Sequence, residues 1–98
     1  MAGYLITNYK ITNSEGYQAY TAAVGQTILA HGGEILVAGP GSIPVEGEPD
    51  PITVVLKFPS MDALRGWYDS AEYQKIIHLR TDNSEGSLVF ADEFVMPT

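Results

Sequence analysis

The chain has 98 residues and no cysteine, and its 12 acidic residues outnumber 5 basic ones, for a formal net charge of −7. A chain of this length forms about one domain with a single modest core. The acidic balance argues against binding to nucleic acid or to an anionic membrane surface. The lack of cysteine excludes disulfides and thiolate metal sites, and no apolar run approaches the roughly 20 residues that span a bilayer. We therefore expect one cytoplasmic domain over residues 1–98, without a secretory leader, metal or cofactor.

The first half of the chain predicts a strand, a helix and a second strand. Residues 4–9 are β-branched and aromatic, which is typical of a strand. Asn13 then offers a helix N-cap, and the helix is expected to end near His31. A short apolar run at 35–38 predicts the second strand, and the proline- and glycine-rich stretch 39–51 predicts an exposed, irregular connection. The apolar face of the helix consists of Tyr17, Tyr20, Val24 and Ile28.

The second half predicts a strand, a helical region and a final strand. Apolar residues alternate through 52–58, which is the clearest strand of the sequence. Ser60 offers the next helix N-cap, and residues 69–70 are expected to interrupt that helix. A polar loop is predicted at 82–86 and a fourth strand at 88–94. The second helical segment is expected to carry on one face Tyr73, Ile76, Ile77 and Arg80.

The predicted element order is β-α-β-β-α-β, which indicates a ferredoxin-like α+β sandwich with a four-stranded antiparallel sheet and helices on one face. Both faces of the strands are apolar, since Val55 opposes Val54 and Leu56, and Val89 opposes Leu88. The helices cover only one of these faces. We therefore predict that a second copy covers the other in a homodimeric α/β barrel. The alternative is a monomer with some exposed apolar residues on an open sheet.

Three side chains are candidates for catalysis. His31 ends the first helix close to its apolar face, where it is either a general base or only a partner of the last carbonyls. His78 points away from the apolar face of its segment and is either an acid or base or a surface residue. Arg80 lies on that apolar face, where it either clamps a ligand carboxylate or pairs with a protein carboxylate such as Asp69 or Glu72, or with one from a partner chain.

A second group of candidates would bind a ligand. Asn8 and Thr7 lie side by side in the first strand, so one of them faces a buried layer. Asn8 is either a donor to a ligand or a partner of a neighbouring loop. Aromatic rings on or beside the inward helical faces either line a slot for a planar ligand or fill the core. These rings belong to Tyr20, Trp67, Tyr68 and Tyr73.

Several stretches of the chain resemble a known family. They are Gly3–Asn8, the His31-Gly32-Gly33 turn, the FPSMDA string at 58–63 and the WYDSAEYQ string at 67–74. Together they resemble domain-of-unknown-function family 1330, within the dimeric α/β-barrel superfamily. The resemblance implies a ferredoxin-like dimer but no catalytic residues, since the superfamily hosts cofactor-free oxygenases, isomerases, lyases, cyclases and plain ligand binders.

Three functions are open at this point. The first is cofactor-free acid/base chemistry, of monooxygenase, isomerase, lyase or cyclase type, on a small and partly aromatic molecule held between sheet and helices. The second is a non-catalytic binder of such a molecule, and the third is a purely structural homodimer with a filled core. The first two predict a cavity with convergent polar groups, and a pH-dependent turnover would separate the enzyme from the binder.

Overall fold

The computed structural model describes residues 1–97. The sequence folds into four strands joined by one long helix and three short ones. None of the helices within the described range is long and apolar enough to cross a membrane. The elements are β1 (Gly3–Ile11), α1 (Ser14–Ala30), β2 (Glu34–Gly39), β3 (Ile52–Phe58), α2 (Met61–Tyr68), α3 (Ala71–Gln74), α4 (Ile77–Thr81) and β4 (Ser84–Asp92).

The strands form one antiparallel sheet in the order β2-β3-β1-β4, with the two chain-terminal strands side by side. The helices pack on one face of this sheet, so the predicted ferredoxin-like α+β fold is confirmed. The sheet is built from residues that favour strands, and the chain returns to it after α1 through a glycine turn. Gly32, which follows α1, has a φ of 78°, a conformation that glycine adopts without steric cost.

The helix boundaries follow from side-chain caps. Asn13 accepts a hydrogen bond from the backbone N–H of Gly16 at the start of α1, and Ser60 caps α2 in the same way. Ser70 caps α3, which confirms the predicted interruption at 69–70. The segment after it is two short helices rather than one. Ile76 lies between α3 and α4, so Tyr73 and Arg80 belong to different helices.

The fourth strand begins earlier than the predicted 88–94 and takes in most of the predicted polar loop. Its start is set by β1, which is long enough for Ile11 to pair with Ser84. Hydrogen bonding to a long partner strand therefore outweighs the polar character of these residues. Gly86 suits this pairing because a side chain there would collide with the backbone of Asn8.

Strand register confirms that both faces of the sheet carry apolar residues. Leu5, Leu56 and Phe90 lie opposite one another on the face toward the helices. On the other face, Ile6 is 39% exposed and Val89 is 53% exposed. We call this second surface the open face, and its apolar residues are Tyr4, Ile6, Val37, Val55, Val89 and Ala91.

Most of the fully buried rings gather where α2 and α3 meet β3. Phe58, Tyr73 and Trp67 are at most 1% exposed, and the rings of Trp67 and Tyr73 lie 4.1 Å apart. The indole N–H of Trp67 donates to the hydroxyl of Thr27 over 3.0 Å, so its one polar atom is satisfied. We call this closed region of the core the sealed half.

The region around β2 is much less closed. β2 is an edge strand, and its pairing with β3 is interrupted by a bulge between Ile35 and Val37. Ile35 and Leu36 remain about half exposed, at 50% and 52%. Helix α1 packs chiefly on α4 and α3 and stands off from β2. A gap is therefore left between α1 and this edge of the sheet, and we call the region the open half.

Candidate functional site

The gap between α1 and the sheet is a half-open cavity of about 410 Å³. This volume falls within the roughly 300–1,000 Å³ that is usual for small-molecule sites. One wall is a single face of α1, produced by the spacing that the sequence predicts, and the other wall consists of strand residues such as Leu5, Val54 and Ile35. The helix contributes Tyr17, Tyr20, Thr21, Val24, Gly25 and Ile28.

Four tyrosine hydroxyls meet in this cavity as two hydrogen-bonded pairs. The hydroxyls of Tyr9 and Tyr17 are 2.6 Å apart, and those of Tyr20 and Tyr73 are 2.8 Å apart. All four side chains are buried and line the cavity, and the rings of Tyr17 and Tyr20 lie 5.4 Å from each other. The wall thus combines apolar ring surface with a cluster of polar oxygens.

Arg80 of α4 extends this cluster. Its Nε donates to the hydroxyl of Tyr73 over 3.1 Å, which makes a chain Arg80–Tyr73–Tyr20 along the cavity. One alternative from the sequence was that Arg80 pairs with a protein carboxylate such as Asp69 or Glu72, or with one from a partner chain. Among residues 1–97 the only ion pairs join Lys10 to Glu85 and His31 to Glu72, so a phenol stands in that place. Tyr73 and Arg80 lie seven residues apart on one side of the α3–α4 segment, which lets the guanidinium reach the phenol.

Electrostatics keep this cluster protonated, so that its hydroxyls act as hydrogen-bonding groups without charge. Burial raises the pKa of Tyr17 and Tyr20 far above the ordinary value, and the interactions with Tyr9 and Tyr73 act in the same direction. Burial alone lowers the pKa of Arg80, but its interactions with Tyr73 and Tyr20 outweigh that effect and raise it. At neutral pH the cavity therefore presents neutral phenols and a charged guanidinium, which suits an anionic oxygen better than a cation.

The two histidines lie away from this cluster. Nδ1 of His31 donates to the carbonyl of Thr27 over 3.0 Å, and its Nε2 lies 3.7 Å from a carboxylate oxygen of Glu72. His31 thus tethers the end of α1 to α3 and does not line the cavity. His78 is exposed on α4. The structure brings neither histidine to Arg80, and the catalytic roles predicted for them stay predictions.

Asn8 lies on the open face and not in the cavity. Its amide N–H groups donate to the carbonyls of Asp50 and Ile52 over 3.0 and 3.1 Å, and its Oδ1 accepts from the backbone N–H of Asp50 over 2.8 Å. Of the two alternatives for Asn8, the structure shows the loop anchor. The neighbouring Thr7 is the buried residue, and its hydroxyl donates to the carbonyl of Ser87.

The predicted aromatic set is only partly brought together. Tyr20, Tyr73 and Trp67 line the cavity, whereas Tyr68 packs at the edge against Phe90. Trp67, expected on a flank of its helix, points inward because α2 is short and buries one stripe only. The sequence reasoning did not include Tyr9 in the pocket. The alternation of β1, which puts Tyr9 on the same face as Leu5, was the signal that could have placed it there.

A ferredoxin-like fold with an apolar, half-open cavity beside the sheet defines the general class of this protein. The chain belongs to the family described as a domain of unknown function (DUF1330), whose model matches residues 2–94. The family resemblance seen in the sequence is therefore confirmed. Among curated proteins, none matches the chain.

Solved structures share the fold at low identity. A protein of unknown function from Rhodopseudomonas palustris is 15% identical with a TM-score of 0.75, over 97% of this chain and 84% of that one. SnoaB, a cofactor-independent oxygenase from Streptomyces nogalater, is 9% identical with a TM-score of 0.66, over 97% and 95%. A dimeric protein of unknown function and ferredoxin-like fold from Bacteroides fragilis is 15% identical with a TM-score of 0.55, over 94% and 96%.

Proposed function

We propose that this protein binds a small, partly aromatic organic molecule in the cavity between α1 and the sheet, and that it does so as a homodimer formed through the open face. The observation that carries the proposal is the combination of apolar walls with the Arg80–Tyr73–Tyr20 chain at the same cavity. Small-molecule sites have this composition, with mostly apolar walls and a few converging polar groups that orient the ligand.

The cavity also argues against the filled-core alternative. The chain buries Phe58 and Leu64 completely outside the cavity, so it is able to close a core where its helices meet the sheet. On α1, by contrast, Val24 and Gly25 face unfilled space of about 410 Å³. A Cβ added at Gly25 would meet no atom within 4 Å. The space is large enough for a ligand, and it extends to the β2 edge, where Ile35 is half exposed.

Ligand binding in the cavity is tested by a substitution on α1 that fills the space. We expect Gly25→Phe to fill the cavity and weaken binding of an apolar fluorescent probe such as N-phenylnaphthylamine at least about tenfold. The matched control is Gly66→Phe, at an exposed helix position of α2 that also has nothing within 4 Å and does not line the cavity. Equal probe binding by the two variants, measured by fluorescence titration, would contradict the proposed ligand site.

The dimer rests on the open face of the sheet. Ile6, Val37 and Val89 are 39%, 48% and 53% exposed there, and they form an apolar surface that the helices of the same chain do not reach. Contiguous apolar surface of this kind marks interaction sites, and a two-fold axis lets one such surface cover another. The dimeric relative of ferredoxin-like fold supports this arrangement.

A charge on the open face would separate the two copies. We expect Val89→Asp to shift the protein from dimer to monomer in sedimentation equilibrium, because a carboxylate in an apolar interface loses its hydration without gaining a partner. The control is Leu29→Asp, at a 69% exposed position of α1 that lies outside the sheet. A native protein that sediments as a monomer at high concentration would rule out this dimer.

A second candidate is cofactor-independent chemistry on the bound molecule. It is favoured by the charged Arg80 and the neutral hydroxyls of Tyr20 and Tyr73, which would stabilise an oxyanion that forms beside them. Within residues 1–97 the cavity lining holds no histidine or carboxylate that could take the proton. A pH-dependent turnover would support this chemistry, whereas a passive binder shows no turnover at any pH.

A further inference from the structure

Arg80 forms part of two cavities. The first is the apolar cavity beside α1, and the second is a neighbouring space of about 430 Å³ at the start of β4. Thr7, Tyr9 and Leu88 also line both spaces, so the two cavities share one wall. The second cavity is more polar, and its lining includes the hydroxyl-bearing residues Thr81, Ser84 and Ser87. A guanidinium therefore stands between an apolar compartment and a polar one.

The charge on Arg80 is not neutralised by the protein around it. Its side chain is only partly exposed, and its Nε bonds to the uncharged phenol of Tyr73. Across the described chain no carboxylate comes within 4.0 Å of it. Glu85 lines the second cavity, but it is paired with Lys10 at 3.5 Å. Partial desolvation of a cation without a counter-ion is unfavourable in free energy, and an anion that binds to Arg80 from either cavity would offset this loss.

From this arrangement we infer that the ligand is an apolar organic anion. Its ring-containing body lies in the cavity beside α1, its carboxylate or similar anionic group lies on Arg80, and any polar extension enters the second cavity. The inference rests on the proposed ligand site and names the class of molecule that the site takes. It runs against the overall charge of −7, which repels anions, so the selectivity must come from Arg80 itself.

Two fluorescent probes with the same rings test the inference. Anilinonaphthalene sulfonate carries an anionic group, and N-phenylnaphthylamine does not. We expect Arg80→Gln to raise the Kd of the sulfonate roughly tenfold or more, the scale of a charge-assisted hydrogen bond, and to leave the Kd of the neutral probe within about twofold. Arg80→Lys keeps the charge and should restore most of the sulfonate affinity.

The salt dependence of sulfonate binding in the native protein and in Arg80→Gln gives a second readout. Added salt relieves the repulsion by the overall negative charge in both proteins, but it screens an attraction to Arg80 only in the native protein. If only the overall charge acts, salt changes the sulfonate Kd equally in the two proteins. The neutral probe should show little change in either case.

The outcomes separate this inference from the proposed site. If Gly25→Phe blocks both probes but Arg80→Gln affects them equally, the ligand site stands and the preference for anions is overturned. If Gly25→Phe and Gly66→Phe bind both probes equally, the ligand site fails, and the inference fails with it. A salt dependence of the sulfonate Kd that is the same in the native protein and in Arg80→Gln would also overturn the anion preference.

Discussion

The sealed half and the open half of this small domain contain the same kinds of residue but differ in how far those residues are exposed to solvent. In the sealed half, Trp67 and Tyr73 are at most 1% exposed, and the centroids of their tilted rings lie 4.1 Å apart. In the open half, Ile35 is 50% exposed although it lies opposite the buried Leu56 on the face toward the helices. The difference lies in which element covers the strands, because α2 packs on β1 and β3 while α1 stands off from β2.

An apolar helix face does not by itself produce a closed core. Tyr17, Tyr20, Val24 and Ile28 form a regular stripe on α1, yet part of that stripe faces open space. A chain of this size buries a limited share of its surface, so sealing one region leaves less for another. The uncovered remainder is where a ligand can bind.

The largest expected effect comes from truncating a side chain in each half. Trp67→Ala should cost about 3–5 kcal/mol of unfolding free energy, because it opens a large hole in the sealed half. Ile35→Ala should cost about 1 kcal/mol or less, because that side chain is already half exposed. Urea denaturation with unchanged m-values measures both. Similar losses for the two variants would erase the distinction between the halves.

A smaller contrast comes from adding one methyl group to a glycine. Gly33→Ala would place its Cβ 2.6 Å from Ile28 and 2.7 Å from Phe58, so we expect a loss of about 1–3 kcal/mol from overpacking. Gly25→Ala meets no atom within 4 Å and lies inside α1, so it should gain about 0.5–1 kcal/mol through helix propensity. If both substitutions lower the melting temperature, the space beside Gly25 is already filled and the cavity is closed.

The smallest effect concerns Tyr20, which lies on α1 and lines the cavity, and it appears only at high pH. Burial raises the pKa of Tyr20 in the folded state, while the unfolded chain ionises near the ordinary value of 10.0. Stability is therefore complete below pH 10 and falls above it, because only the unfolded state releases this proton. We expect Tyr20→Phe to reduce the loss by about 1.4 kcal/mol at pH 11 in urea titrations. Identical pH profiles for the two proteins would place Tyr20 in contact with water.

The fold could be predicted from the sequence because its signals are local. The alternation of apolar residues was enough to predict the strand at 52–58. The helix starts follow from residues whose side chains cap them, namely Asn13, Ser60 and Ser70. The start of β4 could not be predicted in this way. Residues 84–87 are polar, and they form a strand because β1 extends to Ile11 and supplies hydrogen-bond partners.

The site was less predictable, because it depends on how elements meet in space. Tyr20 and Tyr73 were placed correctly by helix periodicity, but their hydroxyl pair joins residues 53 positions apart. Helix periodicity put Arg80 on one face with Tyr73, but it did not show that the guanidinium bonds to this phenol rather than to a carboxylate. Asn8 was undecided until the structure tied it to the loop through Asp50.

The bulge in β2 has one more consequence. Residues three apart in a regular strand point in opposite directions, yet Ile35 and Ala38 both face the cavity because the irregularity resets the pleat. The extra residue is Leu36, because Ile35, Val37 and Ala38 lie opposite Leu56, Val55 and Val54 in turn. Deleting Leu36 would therefore restore a regular strand and straighten the sheet edge beside the cavity, without altering a side chain that lines it.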